Sequence, residues 1–210
     1  MVQSLLKTID FDAFMERYPD TGRRYELHDG IIIEMPKPSG SHSNLAGFLV
    51  EELVLTILQM GKRGQWTIPK EAIVKASNGK SGYEPDVIVL NQAALKAEPC
   101  WNKESVIENA ASIKLIVEVV STNWRDDYFK KRADYEEMGI LEYWIVDYAA
   151  LGGRSFLGKP KQPTVLVHQL VEDEYQVSKF CKEELIVSPK FPELNLTMNR
   201  LIRASHRADE

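Results

Sequence analysis

The segment IKLIVEVV, residues 113–120, is the starting point for predicting the fold. Its near-continuous run of aliphatic side chains predicts a strand that is buried on both faces of a sheet. A helical pattern follows at residues 124–138 and ends at Gly139, and EYWIVD, residues 142–147, is predicted to form the next strand. Because a helix separates the two strands, we expect them to be parallel neighbours within a mixed sheet.

Three further elements are predicted before this strand. Residues 43–60 carry apolar side chains around most of a helical wheel and end at Gly61, so we expect a buried helix there. Residues 65–76 and residues 86–90 are predicted strands. From residue 43 to residue 147 the order is therefore helix, three strands, helix, strand.

A hairpin is predicted on each side of this core. Asp29-Gly30 stands between two β-rich runs, and this dipeptide is a strong signal for a two-residue hairpin turn. Residues 164–170 and 174–180 form the second predicted hairpin. Short helices are expected at residues 11–18 and at about residues 196–202. The sequence thus predicts an α/β fold in one domain, residues 1–210, with a core at about 41–148, an N-terminal hairpin at 23–36, and a C-terminal hairpin and helix at 160–204.

Composition excludes several classes of protein. The 210 residues are 44% hydrophobic and 27% charged, which is typical of a globular protein with a sizeable core. No uncharged run of 18 residues is present, which excludes a membrane-spanning helix. The net charge of −5 argues against a protein that coats nucleic acid through bulk positive charge, but it leaves a local basic patch open.

The cysteines and the first residues bear on the compartment. Cys100 and Cys181 are far apart and in no metal-binding spacing, which favours free thiols in a reducing environment. Residues 1–7 lack the apolar segment of a secretory signal. We therefore expect a cytoplasmic protein.

Two acidic residues stand in strands that are otherwise apolar. Asp86 lies at the head of one buried strand, where an acid is costly unless it caps or binds something. Glu118 lies in the middle of the predicted central strand, where a carboxylate needs a cation, a metal or a raised pKa. The structural alternatives are a strand-end residue that accepts hydrogen bonds from backbone amides for Asp86, and an ion pair for Glu118.

A lysine in the following helix is predicted to face the sheet. On a helical wheel Lys131 falls in a stripe with Tyr128 and Tyr135, whereas Lys130 falls on the solvated face. Asp127 lies one turn before Lys131 and is placed to pair with it or orient it. The alternative for Lys131 is a side chain that extends along the apolar stripe to reach water.

Together these residues suggest phosphodiester chemistry. Asp86 and Glu118 offer oxygen ligands for one or two hard cations such as Mg²⁺ or Mn²⁺. Such a metal polarises a phosphodiester oxygen and lowers the pKa of bound water, while Lys131 is suited to position that water or to stabilise charge on phosphorus. No glycine-rich phosphate loop, paired-cysteine motif or serine nucleophile elbow is present.

The chain resembles the putative restriction endonuclease family abundant in cyanobacteria, which belongs to the PD-(D/E)XK nuclease superfamily. The resemblance rests on an ordered set of motifs that extends over nearly the whole chain: RYEL at 24–27, EPDV at 84–87, VEVVST at 117–122, DDY at 126–128, ADY at 133–135, EYWIVD at 142–147 and FPEL at 191–194. It implies a restriction-endonuclease-like core, a DNA substrate and a divalent metal.

Site residues follow from the resemblance position by position. Asp86 matches the aspartate of the motif and Glu118 its second acid, so both are expected to be metal ligands. The lysine usual two residues after that acid is absent, because Val120 stands there, and Lys131 matches a lysine displaced to the following helix.

The resemblance also implies supporting residues. A first-helix carboxylate often completes the metal site in this superfamily, and the wheel favours Glu51 over Glu52; the alternative is a partly exposed helix glutamate. His42 is expected to contact a phosphate or the attacking water, or simply to begin the helix. Ser121 is expected to bond a catalytic carboxylate.

Two classes of function remain open on the sequence. The first is a Mg²⁺- or Mn²⁺-dependent endonuclease acting on DNA, with Asp86, Glu118 and Lys131 as its catalytic residues and a homodimer as its expected assembly. The second is a non-catalytic nuclease-fold protein that serves as a nucleic-acid-binding or assembly module. An active nuclease must bring Asp86, Glu118 and Lys131 together. In a non-catalytic fold these residues diverge, or the lysine forms an ion pair outside the site. A third hypothesis is a structural homodimer that uses the two hairpins as its interface.

Overall fold

A computed structural model describes residues 8–206 of the chain. Residues 1–7, on which the expectation about a secretory signal rests, lie outside the described residues. In chain order the elements are α1 (Phe11–Glu16), β1 (Tyr25–His28), β2 (Ile31–Glu34), α2 (Gly40–Gln59), β3 (Trp66–Thr67), β4 (Ile73–Lys75), β5 (Gly82–Tyr83), β6 (Val87–Asn91), α3 (Trp101–Glu104), β7 (Val106–Ile107), β8 (Ile113–Val119), α4 (Arg132–Glu137), β9 (Glu142–Asp147), α5 (Arg154–Leu157), β10 (Thr164–Val171), β11 (Glu174–Phe180) and α6 (Met198–Ser205). The predicted α/β class with a mixed sheet is confirmed.

The larger sheet has the strand order β11-β10-β9-β8-β6-β3. Its centre is the pair β8 and β9, which run parallel with Ile116 opposite Tyr143, as the crossover predicts. All but one residue of β8 are buried, because both faces of the strand are covered. Val117 and Val119 pack with α2, whereas Ile116 packs with Tyr135 of α4 on the opposite face. Glu118 shares that second face, since side chains alternate along a strand.

The smaller sheet has the order β2-β1-β5-β4-β7 and contains the N-terminal hairpin. Asp29 and Gly30 form its turn with φ of 49° and 82°, the two positive values that a type I′ turn requires. β1 pairs with β5 through Leu27 and Gly82, which brings the hairpin against the segment that leads into β6.

One predicted strand is wrong in its extent. Residues 65–76 do not form a single strand: β3 belongs to the larger sheet and β4 to the smaller one. Pro69 stands between them, and proline cannot donate a hydrogen bond to a continuous ladder. The chain therefore changes sheets at this point.

The helix predicted at residues 124–138 is present but is not regular. Its central part, Asp126–Lys131, is a π-helix that runs directly into α4. π-Helical turns are rare and occur frequently at functional sites. The wider turn changes which side chains share a face, and Asp127, Tyr128 and Lys131 are its buried residues.

Two further findings concern membrane-spanning helices and the cysteines. None of the helices in residues 8–206 is long and apolar enough to cross a bilayer. Cys100 and Cys181 are both free, as their spacing predicts.

Acid stability is expected to depend on His168, a buried residue of β10. Burial and the nearby charge of Arg132 lower the pKa of His168 to about 4, while its Nδ1 lies 3.3 Å from the carbonyl oxygen of Tyr143. Between pH 6.5 and pH 4 the unfolded chain binds a proton at His168 that the folded chain does not, so stability is full above this window and falls as the pH decreases. From pH 7 to pH 5 this residue alone is expected to remove about 2 kcal/mol from the free energy of unfolding.

Urea denaturation at the two pH values checks this expectation. His168→Phe keeps the ring and removes the titration, so it should lose less stability than the wild type between pH 7 and pH 5. Equal losses in the two proteins contradict the assignment.

Candidate active site

A cleft of about 310 Å³ lies where the two sheets meet. Its charged lining residues come from five segments of the chain: Arg24, Lys37, Glu84, Asp86, Glu118, Asp127 and Lys131. His42 at the start of α2 and Ser121 after β8 also line it. The cleft therefore contains the three residues that the sequence singles out as catalytic.

Asp86 is held at the cleft by the strand next to it. Its Oδ2 accepts a hydrogen bond of 2.8 Å from the backbone N–H of Val119. His42 Nε2 lies 3.3 Å from the same oxygen and 3.1 Å from the carbonyl oxygen of Val119. The other oxygen, Oδ1, accepts no hydrogen bond from residues 8–206. Asp86 thus bonds a backbone amide, as the structural alternative requires, and still presents one oxygen to the cleft.

The imidazole of His42 contacts both Asp86 Oδ2 and the carbonyl oxygen of Val119. Burial lowers the pKa of its imidazole, but the hydrogen bond and the charge of Asp86, together with the Val119 carbonyl, outweigh burial and raise the pKa above the usual value. Its own N–H begins α2 by donating to Ser39 Oγ, so His42 is both a helix-entry residue and a cleft residue. The helix-entry role is thus observed, and contact of His42 with a phosphate or the attacking water stays a prediction.

Lys131 lies at the centre of a buried ion cluster. Its side chain is 4% exposed, and Nζ lies 3.0 Å from Glu26 Oε1, 3.2 Å from Glu118 Oε1 and 3.7 Å from Asp127 Oδ1. Nζ also lies 5.6 Å from the centre of the Tyr83 ring. Lys130, in contrast, is half-exposed and pairs with Asp29 of the hairpin turn. The structure therefore directs Lys131 inward and Lys130 outward.

Glu118 is almost fully buried beside this lysine. Burial raises the pKa of its carboxyl well above the usual range, although the charge of Lys131 opposes this shift. Its Oε1 also accepts a hydrogen bond of 3.2 Å from the hydroxyl of Tyr135. Nearby Asp127, Asp86 and Glu26 contribute further negative charge that raises the pKa of Glu118.

The three carboxylates around Lys131 are not equivalent. Burial raises the pKa of Asp127 to about 7, against the attraction of Lys131. Glu26 is equally buried, yet Lys131, His28 and the backbone N–H of Glu84 together lower its pKa to about 2. One ammonium group cannot balance three carboxylates, so the cluster holds excess negative charge or extra protons.

The donor set fits Mg²⁺ or Mn²⁺ better than a metal that needs a complete protein cage. Within residues 8–206 no three or more His, Cys, Asp or Glu side chains are grouped to hold a metal ion. Mg²⁺ is commonly bound by one or two carboxylates and keeps several waters. Asp86 and Glu118 line the same cleft and supply two such carboxylates, and the excess negative charge around Glu118 favours an added cation.

The structure does not bring Glu51 to the cleft. Its side chain is exposed on α2 and is not among the cleft residues. The wheel placed Glu51 between Leu55 and Leu58, but these leucines are 49% and 46% exposed, so the apolar side was assigned to the wrong face. Thr56 is buried instead, and Glu52 pairs with Arg200 of α6.

Ser121 lines the cleft but forms no hydrogen bond to Asp86 or Glu118 in the described part of the chain. Val120, two residues after Glu118, is buried and also borders the cleft. The amine function in this cleft is therefore supplied by Lys131 from the π-helix.

Sequence reasoning missed one member of the cluster, Glu26. It alternates along β1 with Tyr25 and Leu27, a pattern that predicts an acid on a solvated strand face. In the fold both faces of β1 are covered, and Glu26 is fully buried. The available signal was the RYEL motif, which marked the segment but assigned no role to the glutamate.

Removing the ammonium of Lys131 is expected to destabilise the protein in a pH-dependent way. Lys131→Met leaves three buried carboxylates without their cation, which costs about 3–5 kcal/mol at pH 8. The carboxyls of the variant bind protons more tightly when folded than when unfolded, so its stability should rise as the pH falls from 8 to 6.

Thermal unfolding of the wild type and Lys131→Met across this pH range measures the difference. Lys130→Met, from the outward-facing position, serves as the control and should unfold like the wild type. Parallel pH profiles for Lys131→Met and the wild type contradict the charge balance described above.

Comparisons with known proteins agree with this fold. A solved structure, a putative nuclease belonging to DUF820 from Anabaena variabilis, superimposes with a TM-score of 0.71 at 20% sequence identity, covering 94% of this chain and 99% of the other. No curated protein matches the chain significantly. The family model Uma2, described as "Putative restriction endonuclease", matches residues 11–199. Since that match covers most of the sequence, the chain belongs to the Uma2 family of putative restriction endonucleases.

Proposed function

We propose that this protein is a Mg²⁺- or Mn²⁺-dependent endonuclease that hydrolyses DNA phosphodiester bonds. The observation that carries the proposal is the convergence of Asp86, Glu118 and Lys131 on one cleft. Asp86 directly precedes β6, Glu118 lies in β8 and Lys131 in the π-helix, and no local sequence pattern requires them to meet. Membership of a family described as nucleases supports the same reaction class.

The metal would be held by Asp86 and Glu118. When bound, it supplies a Lewis acid that polarises a phosphodiester oxygen and lowers the pKa of a water molecule. Asp86 is held for this role by the Val119 amide, which fixes one of its oxygens and leaves the other facing the cleft. Tyr135 donates a hydrogen bond to Glu118 Oε1 and so restrains the second carboxylate.

Lys131 supplies positive charge at the cleft. A buried ammonium that already has its position at the site stabilises negative charge that develops on the phosphate oxygens, because no solvent reorganisation is needed. Its N–H groups are also suited to orient an attacking water. Arg24 and Lys37 line the same cleft and are placed to contact flanking phosphates.

A non-catalytic nuclease-fold protein is the second candidate. The observation that favours it is the pairing of Lys131 with three carboxylates, which also describes a purely structural ion cluster. Such a protein would bind nucleic acid or assemble with partners through the same fold. Metal binding separates the two candidates, because a structural cluster has no need of a divalent cation.

The cytoplasmic location and the homodimer stay predictions. A dimer would let two clefts address the two strands of a duplex. Analytical ultracentrifugation of the purified protein measures this assembly directly.

Calorimetric titration of Mg²⁺ and Mn²⁺ is expected to show binding to the wild type and none to Glu118→Ala. Glu98→Ala is the matched control, since Glu98 is a buried glutamate that accepts hydrogen bonds from the Glu108 and Asn109 amides away from the cleft. If the folded wild-type protein binds neither metal, the result contradicts the metal-dependent mechanism and favours the non-catalytic candidate.

Plasmid cleavage tests the chemistry itself. Lys131→Ala is expected to lower the cleavage rate by about 100- to 1,000-fold, the usual effect of removing one group that stabilises charge in a transition state. The Lys130→Ala variant should cleave at the wild-type rate. A Lys131→Ala protein that is folded and fully active contradicts the role given to this lysine.

A further inference from the structure

Glu26 connects the smaller sheet to the cleft. It lies on β1, in the N-terminal hairpin, and its carboxylate is fully buried. Of the three carboxylates around Lys131 it makes the shortest contact, with Oε1 3.0 Å from Nζ. The hairpin therefore supplies a group to a site whose other members belong to the larger sheet and the π-helix.

Glu26 is also the carboxylate with the most fixed position. Its Oε1 accepts a second hydrogen bond of 3.0 Å from the backbone N–H of Glu84, two residues before Asp86. Its Oε2 lies 2.8 Å from His28 Nε2. With Oε1 held by the backbone of Glu84 and Oε2 by His28 of the same strand, Glu26 provides a fixed negative charge at one side of Lys131.

The fixed charge of Glu26 affects how the Lys131 ammonium is shared between Glu26 and Glu118. Nζ lies between Glu26 Oε1 at 3.0 Å and Glu118 Oε1 at 3.2 Å. An ammonium between two carboxylates moves toward the remaining one when either loses its charge, because Coulomb attraction is strong in a buried site. Without the charge of Glu26, Lys131 would pair more fully with Glu118 and neutralise an acid that the metal needs.

We propose that Glu26 is a positioning residue that holds Lys131 at the cleft and keeps it from pairing fully with Glu118. This inference rests on the proposed nuclease function and deepens it. Glu26 touches neither substrate nor metal in this role. It acts only through Lys131, and it makes the N-terminal hairpin part of the active site.

The direct test is Glu26→Gln, which keeps the shape and removes the charge. We expect kcat for plasmid cleavage to fall about 10- to 100-fold with KM for DNA unchanged. This range is typical of residues that orient the side chains acting directly at a site. The matched control Glu98→Gln also removes a buried carboxylate charge that binds backbone amides, but away from the cleft, and it should leave both constants unchanged.

Glu26→Asp separates charge from volume. It retains the carboxylate, so kcat should recover part of the loss seen in Glu26→Gln. A Glu26→Asp rate no higher than that of Glu26→Gln overturns the positioning role, and so does wild-type kcat in Glu26→Gln. All rates are measured well below the melting temperature of each variant, so that a fall in kcat reports the site and not unfolding.

A structural measurement keeps the inference separable from the nuclease function. If the wild type cleaves no DNA with Mg²⁺ or Mn²⁺, the nuclease function fails, and crystal structures of the wild type and Glu26→Gln then decide the position of Lys131. Movement of Nζ toward Glu118 in Glu26→Gln supports the positioning role, and an unmoved Nζ overturns it.

A second variant covers the case in which Glu26→Gln does not fold. His28→Asn weakens the hold on Glu26 Oε2 and leaves the carboxylate charge in place. A smaller fall in kcat with KM unchanged supports the role, and an unchanged kcat overturns it.

Discussion

The buried ammonium group of Lys131 is the interaction on which the site depends. It lies within 3.7 Å of carboxylates from the smaller sheet, the larger sheet and its own π-helix. Breaking a buried ion pair leaves an uncompensated charge, which is strongly unfavourable. The relative placement of these three elements is therefore coupled to one side chain, and the cleft lies at their junction.

The same cluster supports the divalent cation that we propose for the site. Burial raises the pKa of Glu118 and Asp127, and the single ammonium of Lys131 does not offset this effect for both acids. Glu26 differs, since the charge of Lys131 and the hydrogen bonds from His28 and the Glu84 amide stabilise its ionised form. An added cation would balance the excess charge that otherwise has to be met by protons, so binding of a metal and release of protons are expected to be coupled.

Much of the larger sheet could be predicted because its elements are long and strongly patterned. The buried run at residues 113–120, the crossover helix and the Asp29-Gly30 turn all have local physical causes, and each is found in the structure. Asp86, Glu118 and Lys131 were also identifiable, because charged side chains in apolar strands and stripes are conspicuous. The prediction was weakest where an element has few residues: β5 and β7 are two residues each, and the strand expected at 65–76 divides between the two sheets.

Glu51 and Glu26 separate the features that follow from local sequence patterns from those that depend on tertiary packing. Periodicity and composition are local properties, so they indicated the longer helices and strands and marked Asp86 and Glu118 as acids in apolar surroundings. Only the packing of α2 against the sheet and α6 decided that Glu51 faces outward, and only the packing of the second sheet decided that Glu26 is buried beside Lys131. Contacts between residues 105 positions apart in the chain, such as this last pair, depend on how separate elements assemble, and no local pattern encodes them.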